Sequence, residues 1–459
     1  MRSILRKLRF LTKMKKSKIF FVSLGCDKNR VDSEEMLGHL AASGFSFTDD
    51  ETEADVIVVN TCCFIDEAKE ESIEAILDMA QMKTEGVCKK LVVAGCLAER
   101  YREDIRTELP EVDVICGVNE LPKIIEACTL EDDATSEEAT DGKPAEIAEP
   151  KRVLTTAGHY EFLKIAEGCN KHCTYCVIPN IRGAYRSFTM DHLLEEAEYL
   201  AEQGVKELIV VAQETSIYGK DLYGEYKLPE LLRKLCLIDG LKWIRVLYCY
   251  PEDISEDFLH VMAEEEKICK YIDMPIQHAS DKILKRMGRR TSHDSIVETI
   301  KKAREIVPDV TLRTSLISGF PGETEEDHKI LVDFVKEMQF DHLGVFTYSR
   351  EEGTPAHDFE DQVDEAVKIA RRDEIMKLQE AISETKLLEK KEQTFDIIVE
   401  GKLPEEEAYV GRTRMDAPDV DGLFYFECGE ELMTGDLIRA KATESGQYDL
   451  FGEFLERID

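Results

Sequence analysis

Cys169, Cys173 and Cys176 fall in the run EGCNKHCTYC, with the spacing CxxxCxxC. Thiolates are soft ligands that suit zinc and iron–sulfur clusters. A closed structural zinc site takes four protein ligands, and no fourth follows close by in the chain. Three thiolates on a four-iron cluster leave one iron open, and an open position is what catalysis at a metal requires. The spacing therefore points to a catalytic 4Fe-4S cluster in preference to structural zinc or a disulfide.

A second set of cysteines is dispersed. Cys26 follows the strand candidate Ile19–Ser23 in SLGCDKN, Cys62 follows Asp55–Asn60 in NTCC, and Cys96 follows Leu91–Ala94 in AGC. Each thiol is expected at the C-terminal end of a parallel strand, and those ends line the edge of an α/β sheet where ligands bind. Three thiols converging there would hold a second cluster, again with one iron open. The alternative is three unrelated packing residues, since free cysteine is commonly buried. Cys63 adjoins Cys62 but faces the other way if the strand continues, so Cys62 is preferred. Cys88, Cys116, Cys128, Cys236, Cys249, Cys269 and Cys428 show no ligand spacing and read as packing residues.

Further candidates sit at later strand ends. Gln213 and Glu214, in VAQETSIYG, end one strand, and a carboxylate there suits an ammonium group; a loop or helix-capping acid is the plainer alternative. Gly319, Gly322 and Glu323, in SGFPGET, follow another strand. Glycines permit close backbone approach to a ligand, and Thr324 is placed to cap the next helix. Tyr175, inside the cysteine loop, is suited to pack on a cluster or nucleobase. Arg182 and Arg186 are the nearest cations; they suit a substrate carboxylate or a solvated loop. Gln277 and His278 follow a further strand, and a lone histidine there reads as a satisfied polar residue.

The elements that must position these residues form an α/β multidomain chain. Over residues 18–128, short β-rich runs alternate with helical patterns such as Asp66–Met82, the signature of an α/β domain with a mostly parallel sheet. Residues 129–154 are acidic, small and aromatic-free, and read as a linker. Residues 155–392 hold six strand–helix units with strand candidates Phe162–Ala166, Glu207–Val211, Trp243–Leu247, Tyr271–Met274, Thr311–Ile317 and Leu343–Phe346. They predict a barrel-like domain whose chemistry lies at the C-terminal ends of the strands. Residues 393–459 carry short β-type runs separated by Gly, Pro and Asp, which predict a small antiparallel barrel.

Charge narrows the partners. The 459 residues carry a formal net charge of −36, and residues 394–459 alone hold six Lys/Arg against seventeen Asp/Glu. Such a surface repels a polyanion such as RNA and attracts a basic protein. Residues 1–17 form a basic leader with scattered apolar residues and no continuous apolar core, so a secretory signal is not expected. No stretch is apolar enough to span a membrane. The 14 cysteines are therefore expected to be reduced thiols in the cytoplasm.

The motifs resemble a known family. EGCNKHCTYCVIPNIRG is similar to the cluster loop of the radical S-adenosylmethionine (SAM) methylthiotransferases. SLGCDKNRVDSEE, NTCCFIDEAKEES and AGCLAER resemble that family's N-terminal half, with Cys26, Cys62 and Cys96 at its three cluster positions. The resemblance runs from about Lys18 to the end. It implies an N-terminal Rossmann-like α/β domain, a central partial (βα)6 TIM-type radical SAM barrel and a C-terminal TRAM barrel. Within the family, VAQETSIYGKDLYG, LYCYPEDISEDF, MPIQHASDKILKRMGR and RTRMDAPDVDG look like the branch that modifies ribosomal protein uS12 rather than the tRNA-modifying branch. Glu214 and Ser216 depart from the usual run at their strand.

The resemblance implies two 4Fe-4S clusters and SAM, the latter serving as radical source and methyl donor. A SAM-derived radical would abstract hydrogen from the β-carbon of an aspartate of uS12, which no side-chain base deprotonates. The second cluster would supply sulfur, and a flavodoxin or ferredoxin would supply electrons. The alternative substrate is a modified adenosine of tRNA.

Overall fold

The computed structural model describes residues 17–130, 151–404 and 408–458. Most of the expected basic leader and acidic linker lies outside these residues. The chain divides into two compact units, Met1–Thr155 with Asn180–Arg182, and Thr156–Pro179 with Gly183–Asp459.

The first unit is a five-stranded parallel sheet built from β1 (Lys18–Ser23), β2 (Ser46–Phe47), β3 (Val56–Thr61), β4 (Lys90–Gly95) and β5 (Val114–Cys116). Their order is β2-β1-β3-β4-β5. Strand β3, VIVVNT, is buried at all six positions. A central parallel strand covered on both faces needs this continuous apolar run. Ile19, Met36, Leu40, Val56, Val58 and Val92 belong to the core. The edge strand β2 was not anticipated, because two residues are too few to show alternation.

In the second unit, β6 (Tyr160–Lys164), β9 (Glu207–Val211), β10 (Trp243–Val246), β11 (Ile268–Asp273), β12 (Thr311–Ser318) and β13 (His342–Thr347) form an open parallel sheet in chain order; the small pair β7 (Ala166–Glu167) and β8 (Arg186–Ser187) stands apart. This is the expected six-unit partial barrel. The helix Glu365–Leu388 packs on β12 and β13.

A closed barrel follows, made of β14 (Thr394–Lys402), β15 (Ala408–Thr413), β16 (Phe424–Glu427), β17 (Leu437–Ser445) and β18 (Leu450–Arg457). Two of its strands, β15 and β18, fall outside the β-type runs expected in this segment, Thr394–Val399, Gly422–Phe426 and Leu437–Ala442. One pair, β16 with β18, is parallel in the otherwise antiparallel barrel.

The small barrel is fastened to the N-terminal ends of the larger sheet. Glu207, the first residue of β9, is fully buried and accepts from Arg245 Nε and Arg412 Nη2, each at 2.7 Å. Burial alone would push the Glu207 carboxyl up; the two guanidiniums overcome it and hold it at about 2. Tyr271 donates to Asp421 at 2.6 Å, and Arg313 reaches Asp273 at 2.9 Å. The run RTRMDAPDVDG supplies Arg412 and Asp421, so it closes the floor of the sheet and leaves the C-terminal strand ends to the chemistry.

Candidate functional site

In the first unit the three dispersed thiols meet. Gly25 has φ +96°, and a Cβ there would come within 2.8 Å of Cys62 Cβ, so glycine lets the turn before Cys26 close on Cys62. Ser72, from the helix Asp66–Glu85, donates to Cys62 O at 2.9 Å and accepts from Cys62 N at 3.0 Å. Cys96 opens the short helix Cys96–Arg100. Burial raises the Cys62 and Cys96 thiols, and Cys26, Cys62 and Cys63 all add to the effect at Cys96. Such thiols are poor free nucleophiles; a bound metal would deprotonate them outright. Cys63 is fully buried and its carbonyl accepts from Arg100, whereas Cys62 retains slight exposure.

Arg182 belongs to this unit. Its Nη2 donates to Asp32 at 2.9 Å and lies 3.5 Å from Cys96 Sγ, with 1% of the residue exposed. Of the two expectations for Arg182, a substrate carboxylate or a solvated loop, neither describes it: the side chain is buried and its carboxylate partner is Asp32. Arg186 is exposed on β8.

In the second unit the loop after β6 carries Cys169, Cys173 and Cys176. Lys171 N donates to Cys169 Sγ at 3.4 Å and Cys176 N to Cys173 O at 3.0 Å, which curls the loop. Burial pushes the Cys169 thiol up to about 11 and the Cys176 thiol to about 12, and Cys173 raises both further. Thr174 ties the loop to the segment after the helix Asp281–Arg286, donating from N to Met287 O at 2.9 Å and from Oγ1 to Arg286 O at 2.8 Å. Among the described residues no three His, Cys, Asp or Glu side chains close to the spacing of a single metal ion. A four-iron cluster places each thiolate on a separate iron and so takes a wider triangle, and soft donors alone make up both sets.

The strand ends around this loop hold buried polar atoms that make no hydrogen bond among the described residues. Gln213 donates to Glu167 at 3.1 Å, but among the described residues its Oε1 accepts no hydrogen bond, nor does Ser216 Oγ; Glu214 Oε2 accepts none either, though it faces Lys171 Nζ at 3.6 Å. Burial raises Glu214 to about 8, against the pull of Lys171, whose ammonium lies 3.6 Å away and also meets Glu252 and Asp253. A buried acid whose Oε2 accepts no hydrogen bond among the described residues suits an ammonium ligand. Tyr175 stands edge-on to Phe320, ring centres 6.3 Å apart. These groups fit a cationic amino-acid cofactor beside a thiolate-held cluster.

The glycine loop is used differently from what its sequence suggests. Gly319 has φ +72°, and a Cβ there would fall 2.2 Å from Lys368 Cγ; at Gly322 it would strike Asp361 and Arg286. The close approach is to other protein segments. Glu323 accepts from Gly319 N at 2.7 Å, Phe320 N at 3.1 Å and Arg371 at 3.0 Å, so both its oxygens meet the protein's own donors. Thr324 caps the following helix. His278 accepts from Ser280 N at 2.9 Å. Arg289, which sequence reasoning passed over, is 6% exposed beside the loop; nothing in KRMGRR distinguishes it from its exposed neighbour Arg290.

Residues 18–117 match the uncharacterized protein family UPF0004, 163–335 the radical SAM superfamily and 393–455 the TRAM domain. A ribosomal protein uS12 methylthiotransferase RimO from Lachnoclostridium phytofermentans is 55% identical over 95% of this chain and 99% of its own length. The RimO of Acetivibrio thermocellus is 50% identical over 96% and 99%. In fold, the chain is similar to the radical SAM methyltransferase TsrM from Kitasatospora setae, solved with cobalamin and a [4Fe-4S] cluster, at TM-score 0.54 and 14% identity over 74% of this chain and 77% of that one. The chain is a transferase and belongs to the RimO family of radical SAM methylthiotransferases.

Proposed function

We propose that this enzyme adds a methylthio group to the β-carbon of an aspartate in ribosomal protein uS12. Cys169, Cys173 and Cys176 would hold one 4Fe-4S cluster, and Cys26, Cys62 and Cys96 the other. The observation that carries this reading is the presence of two separate sets of three thiols at the C-terminal ends of parallel strands. The names of the relatives at 50–55% identity support uS12 as the substrate. When bound, the clusters and SAM supply the one-electron chemistry, the sulfur and the methyl group.

The chain's own residues bind, orient and enclose. Glu214 Oε2 receives the ammonium of SAM; the incoming positive charge lets a carboxyl that burial holds at about 8 ionise at neutral pH. Gln213 Oε1 accepts a second polar hydrogen. Tyr175 and Phe320 wall the site against water, and Gly319, Gly322 and Glu323 set the loop that faces the cofactor. The net charge of −36 favours a basic protein over RNA as substrate. The electron donor would be a flavodoxin or ferredoxin, and the working compartment the cytoplasm. Among the described residues no helix is long and apolar enough to cross a membrane.

The test is to delete the gene and weigh intact uS12, with nucleoside analysis of tRNA alongside. Loss of one CH2S unit from uS12, restored by the wild-type gene, is the expected result. Unchanged uS12 with loss of a methylthioadenosine from tRNA would overturn the substrate.

A further inference from the structure

Burying a guanidinium without a counter-charge costs several kcal/mol. Six arginines are buried among the described residues. Arg152, Arg182, Arg245, Arg371 and Arg412 each meet a carboxylate. Arg289 does not. Its Nη2 donates to Pro275 O at 2.8 Å, and its guanidinium lies 4.3 Å from the centre of the Tyr250 ring. Its Nε and Nη1 make no hydrogen bond among the described residues.

Its place in the fold is specific. Pro275 lies just past the C-terminal end of β11. Arg286 and Met287, just before Arg289, accept from Thr174 inside the cysteine loop. Tyr175, Tyr250, Cys173 and, beyond contact distance, Glu252 feel its charge. Lys171 lies 4.9 Å from the same Tyr250 ring and faces Glu214, Glu252 and Asp253. The site thus has an acidic side of three carboxylates that share one ammonium, and a cationic side that no carboxylate among the described residues contacts.

Resting on the function proposed above, we propose that Arg289 is the carboxylate receptor of this site. Two carboxylates would come within its reach, that of the methionine moiety of SAM and that of the substrate aspartate. Arginine suits either, since its donors remain charged at every pH of interest.

The test is equilibrium binding to the anaerobically reconstituted full chain. SAM is compared with decarboxylated SAM, and a uS12-derived peptide containing the aspartate with the same peptide carrying asparagine. The wild type should prefer one carboxylate-bearing ligand over its analogue by about tenfold or more. Arg289→Gln should erase that preference, and Arg289→Lys should keep part of it. A lost preference for SAM assigns the cofactor's carboxylate; a lost preference for the aspartyl peptide assigns the substrate's. A wild type that prefers neither overturns the inference without any variant. An Arg289→Gln protein with preferences intact but a shifted cluster midpoint potential also overturns it, since the guanidinium then serves the cluster. A wild type that binds no SAM at all would overturn the cofactor assignment, and this inference with it.

Discussion

Cys169, Cys173 and Cys176 share one short loop, whereas Cys26, Cys62 and Cys96 stand at the ends of β1, β3 and β4. The loop set needs only local curling and the anchor that Thr174 makes to Arg286 and Met287. The strand-end set exists only once the sheet has formed, because the register Asn60↔Ala94 and Ser23↔Asn60 is what brings the three turns together. The same side-chain type is thus gathered by local geometry in one unit and by long-range topology in the other. Loss of the fold should therefore affect the two sets differently.

The sharpest way to break this comparison is to remove one thiol from each set. Cys169→Ala should abolish reductive cleavage of SAM, measured as 5′-deoxyadenosine. Cys62→Ala should retain cleavage yet yield no methylthiolated product by mass. Each variant should hold about half the wild-type iron. Identical losses in both variants would mean that the two sets do not divide the work.

A second test concerns Glu207, whose buried carboxylate joins Arg245 and Arg412. Glu207→Gln leaves two guanidiniums short of their charge and should cost about 3–5 kcal/mol, read as a lowered urea midpoint of the second unit. The pH sign follows from a folded value near 2 against an ordinary 4.5. The contribution is fully present above about pH 4.5 and is lost as pH falls towards 2. The wild type should weaken over that window more than the variant does.

The smallest expected effect sharpens the contrast between the sets. Ile57, fully buried in β3, should cost about 2–5 kcal/mol when replaced by alanine. Iron from the strand-end set should then be released at lower urea, together with unfolding of the first unit, while loop-bound iron stays. A single release phase for all the iron would remove the distinction.

Much of this was legible in the sequence because it is local. The CxxxCxxC spacing, the strand runs before each lone cysteine and the Thr324 cap need no knowledge of distant residues. What was not legible depends on contacts far apart in the chain. Gly319 was singled out for close approach to a ligand, whereas the group pressing on it is Lys368, from a helix that follows later. Arg182 looked like an open cation until Asp32, some 150 residues earlier, was found beside it. Arg289 and Arg290 are indistinguishable as letters and differ only in burial. The strand β18 was missed because exposed residues interrupt its apolar pattern, and β15 because its buried second half is Gly411, Arg412 and Thr413, none of them an apolar side chain.

The shared carboxylate of Glu207 has a consequence for anyone hoping to treat the C-terminal barrel as an exchangeable cassette. Cutting the chain before Thr394 would strip Arg412 from the first residue of β9 and expose a floor made of charged side chains arranged for a plug. A graft from a relative would need to bring not only a barrel of similar size but an arginine and an aspartate in register with Glu207 and Tyr271. Chimeras that ignore those two positions should fail in expression before their specificity can be assayed.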